Sequence, residues 1–547
     1  MNKKIIVVLS ALVSIAVQAE TAAPTFTPER FRGHVEFLAD DLLEGRETGT
    51  RGYDIAARYV ASQFESVGLK PGGENGSWYQ QVTLQRTARG ADRGGLTISG
   101  PAGEQRFAHA DNVMVWLNSR EAAFDVSAPL VFVGFGVEDK RLGVDDYRGL
   151  NVKGRIVVLL RGFPKGLPSE EGAHLSAEKA KVAERHGAIG LLTLSTLQSQ
   201  KVIPWNRMLE YADEPEFAWV GADGKAHEEA PGIRARAALN DPAAEALFAG
   251  SARTLADIRL EADKTRGMPR GFALKTRVRL QSTSSWTRVT SPNVIGILPG
   301  ADASLAREYI VLSAHLDHLG IKGVGNSAGS SAGDRIYNGA LDNAAGIAAL
   351  LEAARAAATA PDKPRRSIMF LATTAEEKGL LGADYYARHP TVPLAQIVGN
   401  VDLDMPMLLY PFTDLIAFGA NHSTIGRQVA DAVAPMNIKL SPDPMPEQGV
   451  FTRSDHYQFV RQGVPALMLA TGMENGGGEA WGKFLEGAYH NPGDDLSQPI
   501  NWQAGARFAE VNYRITRAMA DAEARPLWYA GDYFGDTFAP KAARAAR

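Results

Sequence analysis

The amino-acid sequence predicts an α/β fold, with a mixed and mostly parallel sheet sandwiched by helices and an inserted, mostly-β segment. From Asn293 onward, apolar runs of strand length alternate with stretches that have helical spacing, which is the pattern of a parallel sheet covered by helices. From about Gln80 to Leu280, short β-branched or aromatic runs are instead broken by Gly, Pro and Asp. This change of pattern predicts two structural units in one chain.

The predicted elements follow in chain order. Between Pro28 and Gly68, apolar residues recur at helical spacing and predict the first helices. The clearest elements of the middle segment are the strands Leu130–Gly136 and Arg155–Leu160 and a single helix, Glu178–His186. Further along, the predicted strands are Tyr309–Ala314, Ser367–Ala372, Ile397–Leu403 and Ala466–Ala470, and the predicted helices are Ala344–Ala358, Leu380–His389, Thr424–Ala434 and Trp502–Ala520. The tail after Pro526 is expected to be loosely held.

Composition limits the chemistry that is available to the chain. Its 547 residues include 58 Lys or Arg and 62 Asp or Glu, so the formal charge is −4 and gives no reason to expect nucleic acid as a partner. The length predicts about three domains, or one large domain with an insert. The complete lack of cysteine excludes disulfides, thiol nucleophiles and Cys-ligated zinc. Any metal must therefore be bound by His, Asp and Glu.

The first twenty residues have the pattern of an export signal. Lys3 and Lys4 precede an uncharged apolar run from Ile5 to Val17, and Ala19 supplies the small residue at which signal peptidase cleaves. The run is shorter than the roughly 20 residues that a membrane-spanning helix needs. We expect cleavage after Ala19, export to the periplasm or the exterior, and no stable membrane insertion afterwards.

Histidine and carboxylate residues follow the predicted strands of the last region. They are His315 and Asp317 after the first strand, Asp342 before a helix, Glu376 and Glu377 after the second strand, Asp402 and Asp404 at the end of the third, and His490 in a late loop. In open α/β sheets, ligands bind in the crevice beyond the C-terminal ends of the strands. Several separate segments are thus expected to bring these side chains together.

Such a cluster of carboxylates requires neutralisation, because buried carboxylates otherwise take up protons or coordinate metal. Imidazole and carboxylate ligands without thiolate suit Zn²⁺ in a catalytic site. Two His and three carboxylates satisfy two zinc ions if one carboxylate bridges them. With a bridging hydroxide, the four positive charges of the ions are then balanced. The adjacent Glu376 and Glu377 suggest that one is a ligand and the other a general base.

The five motifs resemble the co-catalytic di-zinc exopeptidase family of the bacterial leucyl aminopeptidase type (clan MH). They are His-x-Asp at 315, Gly-Ala-x-Asp-Asn-Ala-Ala-Gly at 339, Glu-Glu-x-Gly-Leu-x-Gly at 376, Leu-Asp-Met at 403 and Tyr-His-x-Pro-x-Asp at 489. The resemblance covers roughly residues 28–110 and 285–525. The middle segment shows a weaker resemblance to a protease-associated (PA) domain, carried by Gly134–Gly136, the strand at Val157 and Gly187–Gly190.

The resemblance implies a role for each residue of the cluster. The implied ligands are His315 and Asp404 for one zinc, Glu377 and His490 for the other, and Asp342 as the bridge between the two. Glu376 would be the general base that acts on a metal-bridged water. Asp317 would hold the imidazole of His315 in its ligating tautomer through its carboxylate.

Near these motifs, three assignments have alternatives. Family members have a single Asp before Met, whereas here Asp402 and Asp404 both lie near the strand end, and we favour Asp404 because it directly precedes Met405. Asp455 is either a residue that orients a ligand or substrate, or a helix cap. His318 follows the strand by three residues, so we expect its side chain to point away from the site.

The implied division of the chain is a signal peptide at 1–19, an N-terminal part of the catalytic domain at 20–110, an inserted PA-like domain at 111–284, the zinc peptidase catalytic domain at 285–525 and a C-terminal tail at 526–547. The insert is expected to cover the mouth of the site and to restrict substrate size. Oligomeric state and side-chain preference stay open.

The implied function is that of an exported zinc aminopeptidase with two Zn²⁺ per chain and peptide substrates. The alternatives are a carboxypeptidase or a glutaminyl cyclase on the same scaffold, or a non-catalytic binding ectodomain that has lost its metals. A di-metal phosphoesterase is disfavoured because the order of the motifs differs.

Overall fold

A computed structural model describes residues 24–321 and 333–547 of the chain. The expected signal peptide, residues 1–19, lies outside the described residues. Within the described part, no helix combines the length and the apolar character that a membrane span requires.

The larger sheet is mostly parallel, as the sequence predicts. Its four central strands, in spatial order, are Ser367–Thr373, Tyr309–His315, Ile397–Leu403 and Ala466–Thr471, and each runs parallel to its neighbour. The next strand, Asp414–Phe418, is antiparallel to its central neighbour and parallel to Lys439–Ser441. All residues of the four central strands except Tyr309 are buried, which explains why these segments are almost continuously apolar.

Helices cover this sheet in two groups. The helices Pro28–Leu38, Ala345–Thr359 and Trp502–Asp521 pack against one another, and the last two also pack against the central strands. The second group consists of the helices Leu381–Arg388 and His456–Arg461, which contact each other. Of these, His456–Arg461 also contacts the strands 397–403 and 466–471. The remaining helices of this unit are Arg51–Ser66, Ile425–Val433, Gly477–Gly487 and Tyr533–Phe538.

A second, smaller sheet has its own hydrophobic core. Its strands are Gly95–Gly100, Gly103–Ala108, Val113–Val115, Ala123–Phe132, Ile156–Leu160, Gly190–Leu194 and Ala235–Leu239. The prediction of a single helix in this region was wrong. The described helices are Ser169–Ala177, Lys179–Arg185, Ser199–Val202, Trp205–Leu209, Asp241–Leu247 and Leu255–Ala262. They have nine residues or fewer, too short for a clear helical period in the sequence.

One long strand, Phe272–Leu298, belongs to both sheets. Its first half pairs with Ala123–Phe132 in the smaller sheet, and its second half pairs with Tyr79–Arg89 and then with Ser367–Thr373 in the larger one. The predicted domain boundary at 284/285 therefore falls inside a continuous strand. Tyr79–Arg89 also pairs with Glu216–Trp219, so the two units are joined by main-chain hydrogen bonds.

Six short strands form three separate two-stranded ladders, and one further strand extends the larger sheet. The ladders are Glu138–Asp139 with Val144–Asp145, Gly320–Ile321 with Ile336–Tyr337, and Trp528–Tyr529 with Arg544–Ala545; Lys70–Pro71 pairs with the end of the long strand. The expectation of a loosely held tail was wrong. Trp528 is 2% exposed and donates its indole N–H to the carbonyl of Gly463. The tail is anchored by this aromatic side chain.

A buried charged triad links the smaller unit to the larger one. His422 Nδ1 lies 2.6 Å from Asp532 Oδ2, and its Nε2 lies 2.6 Å from Glu170 Oε2, on the helix Ser169–Ala177. Burial by itself lowers the pKa of His422, but the two carboxylates outweigh burial and raise it to about 10. Because carboxylates only accept hydrogen bonds, both ring nitrogens carry protons and the imidazole is charged in the fold.

We expect His422→Gln to destabilise the protein in a pH-dependent way. Removal of the cation leaves Glu170 and Asp532 facing each other, which costs about 3–5 kcal/mol for a buried pair. The folded-state pKa lies above the unfolded value of about 6.5, so the stabilisation is complete below pH ~6.5 and is lost as the pH rises through about 10. Thermal unfolding of both proteins at pH 6, 7, 8 and 9 should show a difference in Tm that narrows steadily. A difference that is independent of pH would contradict a charged His422.

Candidate metal centre

The predicted ligands lie together at the C-terminal edge of the parallel sheet. His315 is the last residue of its strand, and Asp404 directly follows the strand that ends at Leu403. Glu377 follows the strand Ser367–Thr373, Asp342 occupies the turn before the helix Ala345–Thr359, and His490 follows the helix Gly477–Gly487. The parallel strands end at the same edge, which is why segments distant in sequence meet there.

Two groups of donor atoms share the carboxylate of Asp342. His315 Nε2 lies 3.2 Å from Asp342 Oδ1 and 3.1 Å from Asp404 Oδ1. His490 Nε2 lies 3.2 Å from Asp342 Oδ2 and 3.2 Å from Glu377 Oε2. Each oxygen of Asp342 therefore faces a different imidazole, as in a carboxylate that bridges two metal positions.

The four distances agree with the separation of two ligands that bind the same metal ion. Ligands about 2.0–2.1 Å from a tetrahedral zinc lie about 3.3 Å apart, close to the four distances of the two groups. The donors are imidazole nitrogens and carboxylate oxygens, with no thiolate, which is the set found in catalytic zinc sites. The residues present therefore fit two zinc ions.

The pKa values of the buried ligands are shifted by the opposite charges of their neighbours. Burial opposes ionisation of Asp342, but hydrogen bonding by His315 and His490 holds the pKa of its carboxyl well below the usual range. Burial likewise lowers the pKa of His315, yet the neighbouring carboxylates of Glu376 and Asp404 raise it far above its ordinary value. Buried histidines thus serve as the counter-charges of the carboxylates.

Glu376 lies beside both donor groups. Burial raises the pKa of its carboxyl well above the usual range, and the carboxylates of Asp404 and Glu377 add to this effect. The imidazole of His315 acts in the opposite direction and lowers the pKa of Glu376. A carboxyl group with an elevated proton affinity, next to two metal positions, is suited to general acid–base chemistry.

Asp317 supports the Glu376–Glu377 turn, and the predicted carboxylate contact with His315 was wrong. His315 Nδ1 lies 3.1 Å from the main-chain carbonyl oxygen of Asp317. The carboxylate accepts the main-chain N–H of Glu376 at 3.0 Å, that of Glu377 at 3.4 Å and the hydroxyl of Thr48 at 3.1 Å. The reason is local geometry: the carbonyl already satisfies the imidazole, so the side chain is free to cap the turn.

The prediction that His318 points away from the site was also wrong. Its side chain is fully buried, and its Nδ1 lies 2.7 Å from Glu377 Oε1. The strand ends at His315, so strand alternation does not set the direction of residue 318. An isolated parallel bridge between His318 and Glu47 sets it instead.

Asp402 and Asp455, whose roles the sequence left open, form their hydrogen bonds away from the proposed ligands. Asp402 accepts the hydroxyls of Ser313 at 2.5 Å and Ser454 at 2.6 Å, which accounts for both of its oxygens. Asp455 accepts the hydroxyl of Thr373, and burial followed by the nearby Asp402 raises the pKa of its carboxyl well above the usual range. Neither contacts a ligand through a hydrogen bond, and Asp404 is the one that lies against His315.

Sequence reasoning did not identify two residues, Asp494 and Arg46, that hold the loops of the site together through hydrogen bonds to the main chain. The Asp494 carboxylate accepts the main-chain N–H groups of Leu341 and Asp342, both at 2.9 Å, and so ties the late loop to the bridging turn. Asp494 is the last residue of the Tyr-His-x-Pro-x-Asp motif, so its place in that motif was an available signal. The buried Arg46 donates to the main-chain carbonyls of Leu38, Leu316, Asn338 and Gly339, and no pattern in the sequence indicates this role.

A cavity of about 820 Å³ opens onto the second metal position. Glu377, Lys378 and His490 line it from the larger unit, while Arg86, Trp116, Tyr211 and Phe217 belong to the strands and loops on the other side. The hydroxyl of Tyr211 lies 3.2 Å from His490 Nδ1. The inserted segment thus contributes part of the wall of the site.

A third group of metal-type side chains, His227, Glu229 and Asp384, lies elsewhere. The cations that pair with Glu229 are Lys181, Arg388 and Arg461. Because these cations already neutralise its carboxylates, this group is an ion-pair network that joins the two units.

The chain is similar in sequence to known enzymes over part of its length. The curated relatives that match include leupeptin-inactivating enzyme 1 of Streptomyces exfoliatus, 26% identical over 254 residues, and aminopeptidase Y of Saccharomyces cerevisiae, 28% identical over 148 residues. The first match covers 44% of this chain and 49% of the relative, and the second covers 26% of each. The chain thus spans about half of the first relative and about a quarter of the second.

A solved structure shares the fold. An aminopeptidase from Aneurinibacillus sp. strain AM-1 matches with a TM-score of 0.52 at 20% identity, over 92% of this chain and 97% of that one. Residues 293–516, which contain every proposed ligand, match the profile of peptidase family M28. In this segment, which is less than half of the chain, the protein is similar to peptidase family M28.

Proposed function

We propose that this chain is an exported, zinc-dependent aminopeptidase that binds two zinc ions and removes N-terminal residues from peptides. The observation that carries the proposal is the carboxylate of Asp342, whose two oxygens each lie 3.2 Å from a different imidazole. The match of residues 293–516 to peptidase family M28 supports a zinc peptidase. The names of the aminopeptidase relatives support the choice of the amino end. The pattern of residues 1–19 supports export.

The proposed ligands divide into two sets. His315 and Asp404 would hold one zinc, Glu377 and His490 the other, and Asp342 both. When bound, zinc supplies Lewis acidity, which polarises a carbonyl and makes water more acidic.

Glu376 moves the proton in the proposed reaction. Its carboxylate accepts a proton from the attacking water as the water oxygen bonds to the scissile carbonyl carbon. It then donates this proton to the leaving nitrogen as the C–N bond breaks, so the products are a free amino acid and a shortened peptide. Asp317 keeps Glu376 in place through the main-chain N–H of that residue.

The decisive experiment combines metal removal with a panel of substrates. We expect the purified protein to cleave aminoacyl p-nitroanilides with a free α-amine, to lose this activity on treatment with 1,10-phenanthroline, and to regain it with Zn²⁺. N-acetylated versions of the same anilides are the matched control and should be inert. The rates should fall as peptides lengthen, because the insert helps to wall the cavity.

Other outcomes point to the alternatives. Cleavage of N-blocked peptides at a free C-terminus would indicate a carboxypeptidase. Cyclisation of N-terminal glutamine with one zinc per chain would indicate a glutaminyl cyclase. A protein that binds no zinc and turns over none of these substrates would be a binding ectodomain, and the proposal would be rejected. Equal kcat/KM for a dipeptide and a decapeptide would contradict the role of the insert.

A further inference from the structure

The buried His318 is a polar residue of the site to which the proposed reaction assigns no part. Its side chain is fully buried, and its Nδ1 lies 2.7 Å from Glu377 Oε1. Nε2 is buried and has no hydrogen-bond partner among the described residues. A carboxylate oxygen only accepts, so Nδ1 must carry the proton and donate it to Glu377.

His318, Asp342 and Glu377 also bring donor atoms within 4.8 Å of one another, but the length of the contact between His318 and Glu377 differs from the contacts between the proposed ligands. The four contacts between proposed ligands measure 3.1–3.2 Å, which is close to the edge of a zinc tetrahedron. The contact between His318 and Glu377 is 2.7 Å, which is the length of a charge-assisted hydrogen bond. His318 engages Oε1 of Glu377, whereas the contact of Glu377 with His490 is made by Oε2. One carboxylate oxygen of Glu377 therefore accepts a hydrogen bond, and the other faces the proposed ligand His490.

The surrounding backbone is built to admit this imidazole. Gly339 has φ +59°, and a Cβ added there would lie 2.6 Å from Cγ and Cδ2 of the His318 ring. On the other side, the main-chain N–H of His318 donates to the carbonyl of Arg46 at 3.3 Å. The ring thus packs against Gly339, and a main-chain hydrogen bond to Arg46 holds the backbone of His318.

We propose that His318 is a positioning residue for the second metal position. It donates its Nδ1 proton to Glu377 Oε1, and so presents Oε2 to the zinc that Glu377, His490 and Asp342 would hold. This inference rests on the proposed two-zinc function. Groups that orient metal ligands through hydrogen bonds typically change metal affinity about 10–100-fold when they are removed.

The test is a titration of the metal-free protein with Zn²⁺ by calorimetry, in the wild type and three variants. In His318→Asn the amide nitrogen takes the place of Nδ1 and keeps the donor, whereas in His318→Gln it takes the place of Nε2; His318→Ala has no donor. We expect one of two zinc equivalents to bind about 10–100-fold more weakly in His318→Ala and His318→Gln. We expect His318→Asn to stay near wild type, and circular dichroism of the metal-free proteins should be unchanged.

The outcomes separate this inference from the proposed function. A wild-type protein that binds fewer than two equivalents would overturn the two-zinc proposal itself. A wild type with two equivalents and a His318→Ala variant with unchanged affinities would overturn only the role of His318. Equal weakening in all three variants would also overturn it, because the effect would then come from loss of the imidazole and not of the Nδ1 donor.

Discussion

Glu376→Gln should abolish most turnover while it leaves both zinc ions bound. The amide is nearly isosteric with the carboxylate but takes up no proton from water, so the variant loses general base catalysis, which contributes about 10²–10⁴-fold. Glu376 makes none of the 3.1–3.2 Å contacts that mark the proposed ligands. We therefore expect kcat on an aminoacyl anilide to fall by that factor, with two zinc equivalents retained.

Glu377→Gln is the matched contrast for this experiment. It makes the same change of charge one residue further along, in a side chain whose Oε2 lies 3.2 Å from His490. It should weaken zinc binding as well as turnover. If Glu376→Gln kept near wild-type kcat, or lost zinc as Glu377→Gln does, the assignment of the base would be wrong.

Asp342→Asn should have the largest effect on metal content. Each carboxylate oxygen of Asp342 faces one imidazole, so an amide leaves an oxygen for one metal position and presents an NH₂ group to the other. We expect at most one zinc equivalent to remain. We also expect kcat to fall on the order of 10³-fold, as when a major electrostatic contributor is removed. Zinc content of the dialysed protein and the rate on an aminoacyl anilide measure the two effects.

Asp402→Asn is the control for loss of a buried carboxylate at the same sheet edge. Its oxygens accept hydroxyl groups from Ser313 and Ser454 and lie below the ligands. This variant should keep both zinc equivalents. An Asp342→Asn protein that binds two zinc ions with wild-type affinity would contradict the bridging role.

The positions of the central strands in the chain and their parallel direction were predictable because these strands are buried on both faces. Such strands are almost continuously apolar, and the predicted bounds of Ile397–Leu403 agree with the structure. The convergence of His315, Asp342, Glu377, Asp404 and His490 followed from the rule that ligand crevices lie beyond the C-terminal strand ends. The choice of Asp404 over Asp402 depended on the resemblance, since strand alternation places both on one face.

What sequence reasoning missed depends on loops and on contacts between distant segments. His318 lies beyond its strand, where a bridge to Glu47 sets its direction, and no periodic pattern reports such a pairing. Asp317 supports the Glu376–Glu377 turn because a main-chain carbonyl already contacts His315. Hydrogen bonds of this kind are set by turn geometry, which residue types alone do not determine. The anchored tail was missed because its basic end received more weight than its aromatic residues, of which Trp528 and Phe534 are buried.

Anomalous diffraction at the zinc absorption edge, from crystals grown with Zn²⁺, tests the central claim most directly. The account predicts two peaks on either side of the Asp342 carboxylate, one between His315 and Asp404 and the other between Glu377 and His490. The side chain of His318 should lie within hydrogen-bond distance of Glu377 and outside the coordination sphere. A single peak, or two peaks that do not share Asp342, would contradict the account.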